Sequence, residues 1–181
     1  DFKTITLYNP IRNDSSSNYT IKKFDKDHKE FSYIGNMGNA QNIEMIVKCF
    51  IDSNIKNSIL NMCGDGSLLA PLSKKYKNKK VIWHGWLSGE SLENIYTNSD
   101  FFILSLQSVG RQGLIIPSKI QSYFMNRKPI ICLSTGATQE LIKEINGGIT
   151  CEEISDSETI KMYKKAIELS ESEKKTMGEN S

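Results

Sequence analysis

The sequence predicts a doubly wound α/β fold of Rossmann-like type, a parallel sheet with helices on both faces. Three observations predict it. From residue 31, short apolar runs alternate with amphipathic stretches, the order of a parallel sheet covered by helices. The runs are apolar almost throughout, which suits strands buried on both faces. Each amphipathic stretch carries one apolar stripe at helical spacing, enough to seat a helix on the sheet.

The elements follow in order. Residues 31–34 form the first strand, and Ile43, Ile46, Val47, Phe50 and Ile51 mark the helix after it. A second strand at 59–63 leads to a helix striped by Leu68, Leu69, Leu72 and Tyr76, and a third at 81–83 to one striped by Leu92, Ile95 and Tyr96. Between strands at 101–104 and 130–133 a helix opens after Pro117, and another opens after Thr138. A long C-terminal helix begins near Asp156, where Ile160, Tyr163, Ala166 and Ile167 line up. Right-handed crossovers put such helices on both faces, and ligands then bind at the carboxyl ends of the strands.

A length of 181 residues allows one domain with a well-buried core and no second full domain. Residues 31–181 read as that domain. Residues 1–30 are polar, rich in Ser, Asn and Lys, and open on Asp1 without a Met; they read as a linker, and the chain as cut from something longer. The 23 basic residues nearly balance the 21 acidic ones, for a net charge of +2, so nothing draws the whole surface to nucleic acid or an anionic membrane. Any anion needs a local site.

Cys49, Cys63, Cys132 and Cys151 form no short Cys-x-x-Cys pair, and most lie in apolar stretches. They read as reduced core residues of a cytoplasmic protein. His28 and His84 neighbour no cysteine pair, so no metal is expected. No apolar run approaches the roughly 20 residues of a membrane span.

Chemistry is therefore sought just after each strand. Gly35-Asn36-Met37-Gly38-Asn39-Ala40-Gln41 leads into a helix, and its glycines suit either a tight turn or close approach of the backbone to a phosphate. Gly64-Asp65-Gly66-Ser67 is a second glycine turn, in which Asp65 or Ser67 can cap the next helix. His84-Gly85-Trp86-Leu87-Ser88 offers an aromatic that either grips a planar base or packs at the rim, and His84 reads as a hydrogen-bonded residue near the strand end. The fourth segment is the most distinctive. In Pro117-Ser118-Lys119-Ile120-Gln121-Ser122-Tyr123 a proline and a capping serine start a helix, so Lys119 lies in its first turn, where a cation is unfavourable beside the positive end of the dipole. A bound anion resolves that conflict and gains the lysine charge; a solvated lysine is the plainer reading.

Taken in order, these segments resemble the C-terminal domain of group 1 (family 4) retaining glycosyltransferases, in a bacterial surface-polysaccharide subgroup, over about residues 31–170. The resemblance rests on Tyr33-Ile34-Gly35-Asn36-Met37-Gly38-Asn39-Ala40-Gln41, on the "G-D-G" turn at Gly64-Asp65-Gly66, on Val81-Ile82-Trp83-His84-Gly85-Trp86-Leu87, on Tyr96-Thr97-Asn98-Ser99-Asp100 with the strand after it, and on Pro117-Ser118-Lys119 through Lys128-Pro129-Ile130. Leu7-Tyr8-Asn9-Pro10-Ile11 is similar to the crossover from an N-terminal acceptor domain, absent here. The resemblance implies a nucleotide diphosphate-sugar donor, UDP-sugars favoured, with no cofactor. It implies diphosphate contacts from Gly35, Asn36, Gly38, Ser118 and Lys119, and ribose and base contacts from Gly64, Asp65, Trp86, Leu87, Gln121, Ser122 and Tyr123. It further implies transfer, with retention, to a glycan or lipid-linked acceptor held by the missing domain, and membrane association, if any, through that domain. One departure stands out: many relatives carry two glutamates where this chain has Leu114 and Ser122, so Gln121 is the expected substitute at the ribose and no catalytic residue is assigned. The competing readings are a non-catalytic binding or assembly domain of the same fold, which the missing glutamates favour, and a nucleotide-sugar epimerase, for which few ionisable groups are offered at the strand ends.

Overall fold

The computed structural model describes residues 28–107 and 115–181. All five expected strands are present: β1 (Lys29–Ile34), β2 (Ser58–Cys63), β3 (Val81–Gly85), β4 (Phe101–Ser105) and β5 (Ile130–Leu133). A sixth, β6 (Gly148–Thr150), was not anticipated. They form one sheet in the order β3-β2-β1-β4-β5-β6, and every pairing is parallel. The order reverses between β1 and β4, which makes the carboxyl ends of those two strands the switch point where such sheets bind ligands.

Seven α-helices occur among the described residues: α1 (Ile43–Ser53), α2 (Leu69–Lys75), α3 (Gly89–Asn98), α4 (Lys119–Met125), α5 (Ala137–Glu144), α6 (Asp156–Glu168) and α7 (Glu171–Asn180). Alternation along the strands assigns their faces. Phe31, Leu60, Phe101 and Ile131 point to a core shared with Ile46, Val47 and Phe50 of α1, Leu72 of α2 and Tyr163 of α6. Phe102, Leu104, Ile130 and Cys132 point the other way, to Ile120 and Tyr123 of α4 and Ile142 of α5, while Tyr96 of α3 meets Phe102 edge-on at 5.6 Å. Phe31 anchors the first core. It stacks on Phe101 at 5.0 Å and takes edge contacts from Phe50 and Tyr163, both at 5.5 Å. Each such ring adds roughly 1.5–3 kcal/mol by burial alone.

The C-terminal helix expected from Asp156 is present as α6 and is followed by a second. Leu169 turns to an extended conformation, and Ser170 starts α7 with a reciprocal capping box to Glu173. Residues 1–27 of the expected linker, with the crossover resemblance at Leu7-Tyr8-Asn9-Pro10-Ile11, lie outside the described residues, as do Arg111, Gln112, Gly113 and Leu114.

Candidate functional site

Three strand-end loops are laced together by backbone hydrogen bonds. Gly35 N–H donates to the Cys63 carbonyl at 2.9 Å, Met37 N–H to Asp65 at 2.7 Å, and Gly64 N–H to Gly85 at 2.7 Å. The approach is so close that it requires glycine. Gly64 has φ +131°, and a Cβ there would fall on the Gly35 carbonyl oxygen; Gly66, with φ +149°, is pressed against Met37 in the same way. The β4 end joins from the other side, where Gln107 N–H donates to the Ala40 carbonyl at 2.7 Å and its amide Nε2 to Asn42 at 2.9 Å.

Onto this floor α4 lowers Lys119. The ammonium hydrogen bonds to the Tyr33 hydroxyl at 2.9 Å, lies 4.1 Å from that ring's centroid and fills the space a Cβ on Gly35 would take, 2.6 Å from that position. The Tyr33 hydroxyl in turn donates to the Asn36 carbonyl at 2.6 Å. Lys119 has no carboxylate partner among the described residues. Burial pushes its pKa down to about 8, and burial drives Tyr33 upward, so the phenol stays neutral. A half-buried cation at the switch point of the sheet, with no carboxylate partner among the described residues, has the chemistry that suits an anion.

Several of the predicted site residues meet at this floor. Gly35, Gly64 and Lys119 are in mutual or successive contact. Asn36 is exposed, with its amide 3.4 Å from Gln41 Oε1, which also accepts from Gly38 N–H at 3.1 Å. Ser118 sits before Lys119 with its side chain exposed, and its hydroxyl does not cap α4 as the sequence suggested: Ser118 itself is in the α conformation, so its side chain cannot reach back to the helix N–H groups. Asp65 likewise caps Gly66 N–H at 2.7 Å and not the following helix, which begins only at Leu69. Trp86, after β3, is 77% exposed beside half-buried Leu87. Gln121 and Ser122 are half-buried on α4.

Tyr123 is placed differently from the ligand contact expected of it. Its side chain is fully buried, and its hydroxyl accepts from Ile34 N–H at 3.1 Å while lying 3.2 Å from the carbonyls of Ile34 and Ile103. The ladder between β1 and β4 ends at Ser32 and Phe102; the phenol fills the gap beyond it. His84 is hydrogen bonded as expected, 2.9 Å from Asn61, and burial lowers its pKa. The residues that sequence reasoning missed are Tyr33 and Gln107. The signal for Tyr33 was its polar tip two residues before Gly35, at the end of a buried strand.

With this geometry in hand, comparison with known proteins is decisive. The family model described as "Glycosyl transferases group 1" matches residues 28–170. The chain belongs to the group 1 glycosyl transferases. No curated protein sequence matches it, but solved structures do. The lipopolysaccharide outer core galactosyltransferase WaaB, in its apo form, superposes with a TM-score of 0.69 at 17% identity, over 91% of this chain and 46% of WaaB. Anabaena Alr3699/HepE in complex with UDP gives 0.70 at 11% identity, over 85% and 43%. The C-terminal domain of a glycosyl transferase group 1 family protein (LpcC) from Francisella tularensis gives 0.64 at 13% identity, over 84% and 81%. This group 1 chain thus spans less than half of the longer enzymes WaaB and HepE, and it shares its Rossmann-like fold with them and with the LpcC domain.

Proposed function

We propose that this chain is the donor-binding half of a retaining glycosyltransferase, taking a nucleotide diphosphate-sugar, with a UDP-sugar favoured, and serving transfer to a glycan or lipid-linked acceptor. The observation that carries the reading is the Lys119 ammonium against Gly35 and Tyr33, with no carboxylate partner among the described residues. A diphosphate seated there receives a full positive charge from a low-dielectric surface, an interaction stronger than the same pair in water. In transfer the diphosphate is the leaving group, so a fixed cation at its oxygens stabilises charge that grows toward the transition state. Gly35, Asn36, Gly38 and Ser118 complete the diphosphate side. Trp86, Leu87, Gly64 and Asp65 follow on the loops of β3 and β2, toward the base. The acceptor, the catalytic base or nucleophile and any attachment to a membrane belong to a partner domain of the whole protein.

A second reading has one observation behind it. Ser122 is a neutral side chain where many relatives carry a glutamate, which fits a domain that binds nucleotide without supporting transfer.

Both are addressed by a thermal-shift panel of UDP, GDP, ADP, CDP and their sugar conjugates on this chain, with Lys119→Ala alongside. A ligand that prefers the folded state raises its melting temperature. Stabilisation by one nucleotide class, lost in Lys119→Ala, supports donor binding and identifies the base. No shift with any of them at millimolar concentration overturns it. Turnover of the bound nucleotide-sugar by the whole protein then separates transfer from binding alone.

A further inference from the structure

Lys119 and Tyr33 are rooted on opposite faces of the sheet. Tyr33 is fully buried in the core shared with α1 and α6, whereas α4 packs on the other side through Ile120 and Tyr123. The lysine reaches the phenol across the carboxyl end of β1, at Gly35. Its Nζ, Cε and Cδ lie 2.6, 2.9 and 3.9 Å from where a Cβ on that residue would stand, so any other side chain there would obstruct the passage.

The seat is an unusual one for a lysine, which ordinarily buries its stem and leaves its charge in water. Burial lowers the Lys119 pKa to about 8, so the surroundings by themselves disfavour the ammonium. Among the described residues no carboxylate pairs with it, and the two attractions that offset burial both come from Tyr33. One is the hydroxyl oxygen at 2.9 Å; the other is the ring face, with the centroid 4.1 Å from Nζ.

The phenol is set to accept. Its own proton is committed to the Asn36 carbonyl at 2.6 Å, and burial keeps it neutral. Tyr123 and Cys63, the neighbouring titratable groups, are likewise kept neutral by burial. One turn along α4 from Lys119, the Tyr123 hydroxyl accepts from Ile34 N–H at 3.1 Å. That bond fixes the helix to β1 independently of Tyr33, so the freedom left to Lys119 is that of its own side chain.

We infer that the Tyr33 hydroxyl is the positioning group for Lys119, holding its ammonium across Gly35 before any ligand arrives. The inference rests on the donor-binding reading for its ligand: phosphates that meet a cation already in place need not immobilise a long side chain on binding. Tyr33 acts through Lys119 alone.

Tyr33→Phe tests this, since it keeps the ring and deletes the hydroxyl. Two readouts are combined: NMR titration of the Lys119 side chain, assigned by its loss in Lys119→Ala, and calorimetry with UDP or the diphosphate of whichever base the panel identifies. Freed from the hydroxyl, the ammonium returns to solvent, so its titration midpoint should rise from about 8 toward the 10.5 of a free lysine. UDP should nevertheless bind about two- to tenfold more weakly at pH 7, the loss expected when one long side chain has to be ordered on binding. In a Lys119→Ala background, Tyr33→Phe should change the residual affinity by less than about twofold.

A midpoint that stays or falls in Tyr33→Phe means that the lysine stem alone seats the ammonium, and overturns the inference. So does unchanged UDP affinity, or an equal loss with and without Lys119, the mark of a purely structural tyrosine. If UDP binding is lost in Lys119→Ala yet Tyr33→Phe moves neither readout, the positioning role fails and donor binding stands. If the midpoint rises but the wild type binds no nucleotide of the panel, Tyr33 holds Lys119 and the donor reading falls. Should Tyr33→Phe fail to fold, the wild type still decides: a held ammonium exchanges its protons slowly enough for its nitrogen signal to be seen in the cold, and the absence of that signal overturns the inference.

Discussion

The Lys119 ammonium donates to the Tyr33 hydroxyl at 2.9 Å, and burial holds its pKa below the ordinary lysine value. Its pKa of about 8 places its titration within reach of ordinary buffers. A bound diphosphate favours the charged form and raises that pKa, so affinity should be constant in the proton-bound range below pH 8 and fall as pH rises through it. The decline approaches tenfold per pH unit until the pKa of the complex is reached. Titration calorimetry with UDP between pH 7.5 and 9.5 measures it. Lys119→Ala should bind weakly and with a flat profile over the same range; a wild-type profile as flat as the variant's contradicts the role given to Lys119.

The same burial has a cost to the fold. Lys119 has a folded-state pKa of about 8 against the 10.5 of a free lysine, so the unfolded chain binds more protons between those values. Stability therefore rises with pH across that window, and the penalty is present in full below pH 8. Lys119→Met keeps the apolar stem and removes the charge. It should stabilise the ligand-free chain at pH 7 by an amount on the order of 1 kcal/mol once solvent screening is allowed for, and the gain should vanish near pH 10.5. Urea denaturation at pH 7 and pH 10 reads both ends.

Gly64 and Gly85 provide a paired test of the loop floor. Both have positive φ, +131° and +68°. A Cβ on Gly64 strikes the Gly35 carbonyl, whereas one on Gly85 meets nothing within 4 Å. Gly85→Ala should cost roughly 1–2 kcal/mol of backbone strain. Gly64→Ala adds a backbone collision to a rarer conformation and should cost about 2–5 kcal/mol, a large share of a typical domain's stability. Equal losses in the two variants would contradict the close backbone approach.

The strands were legible because a strand buried on both faces is apolar almost throughout, as residues 101–104 and Ile130–Leu133 are. β6 was not, since three residues beginning at a glycine carry no period. Lys119 could be picked out because its conflict with the helix start is local. Where its charge goes was hidden, because Tyr33 is 86 residues away. Asp65 and Ser118 failed as helix caps for different reasons: Asp65 closes on the Gly66 N–H before the helix begins, and Ser118 already has α backbone with no side-chain cap bond, outcomes that short-range pattern does not distinguish from a cap. Tyr123 reads as part of a motif, but only the missing β1–β4 pairing beyond Ser32 tells what its hydroxyl does.

That wedge supports the last prediction. Tyr123 stacks on Phe102 at 4.5 Å, 13° from parallel, so Tyr123→Phe leaves the ring packing in place and deletes only the hydroxyl. The buried Ile34 N–H then loses the acceptor it has at 3.1 Å. A buried group left unsatisfied costs about 1–3 kcal/mol, and urea denaturation should show a loss in that range. The effect should extend to the ligand, because Ile34 precedes Gly35 and Tyr123 shares α4 with Lys119. Loosening one contact moves both sides of the proposed anion site, so UDP affinity should fall several-fold without a change in pH profile. A stability loss with unchanged affinity would show that Tyr123 holds the sheet alone. Unchanged stability would mean that water replaces its hydroxyl at no cost.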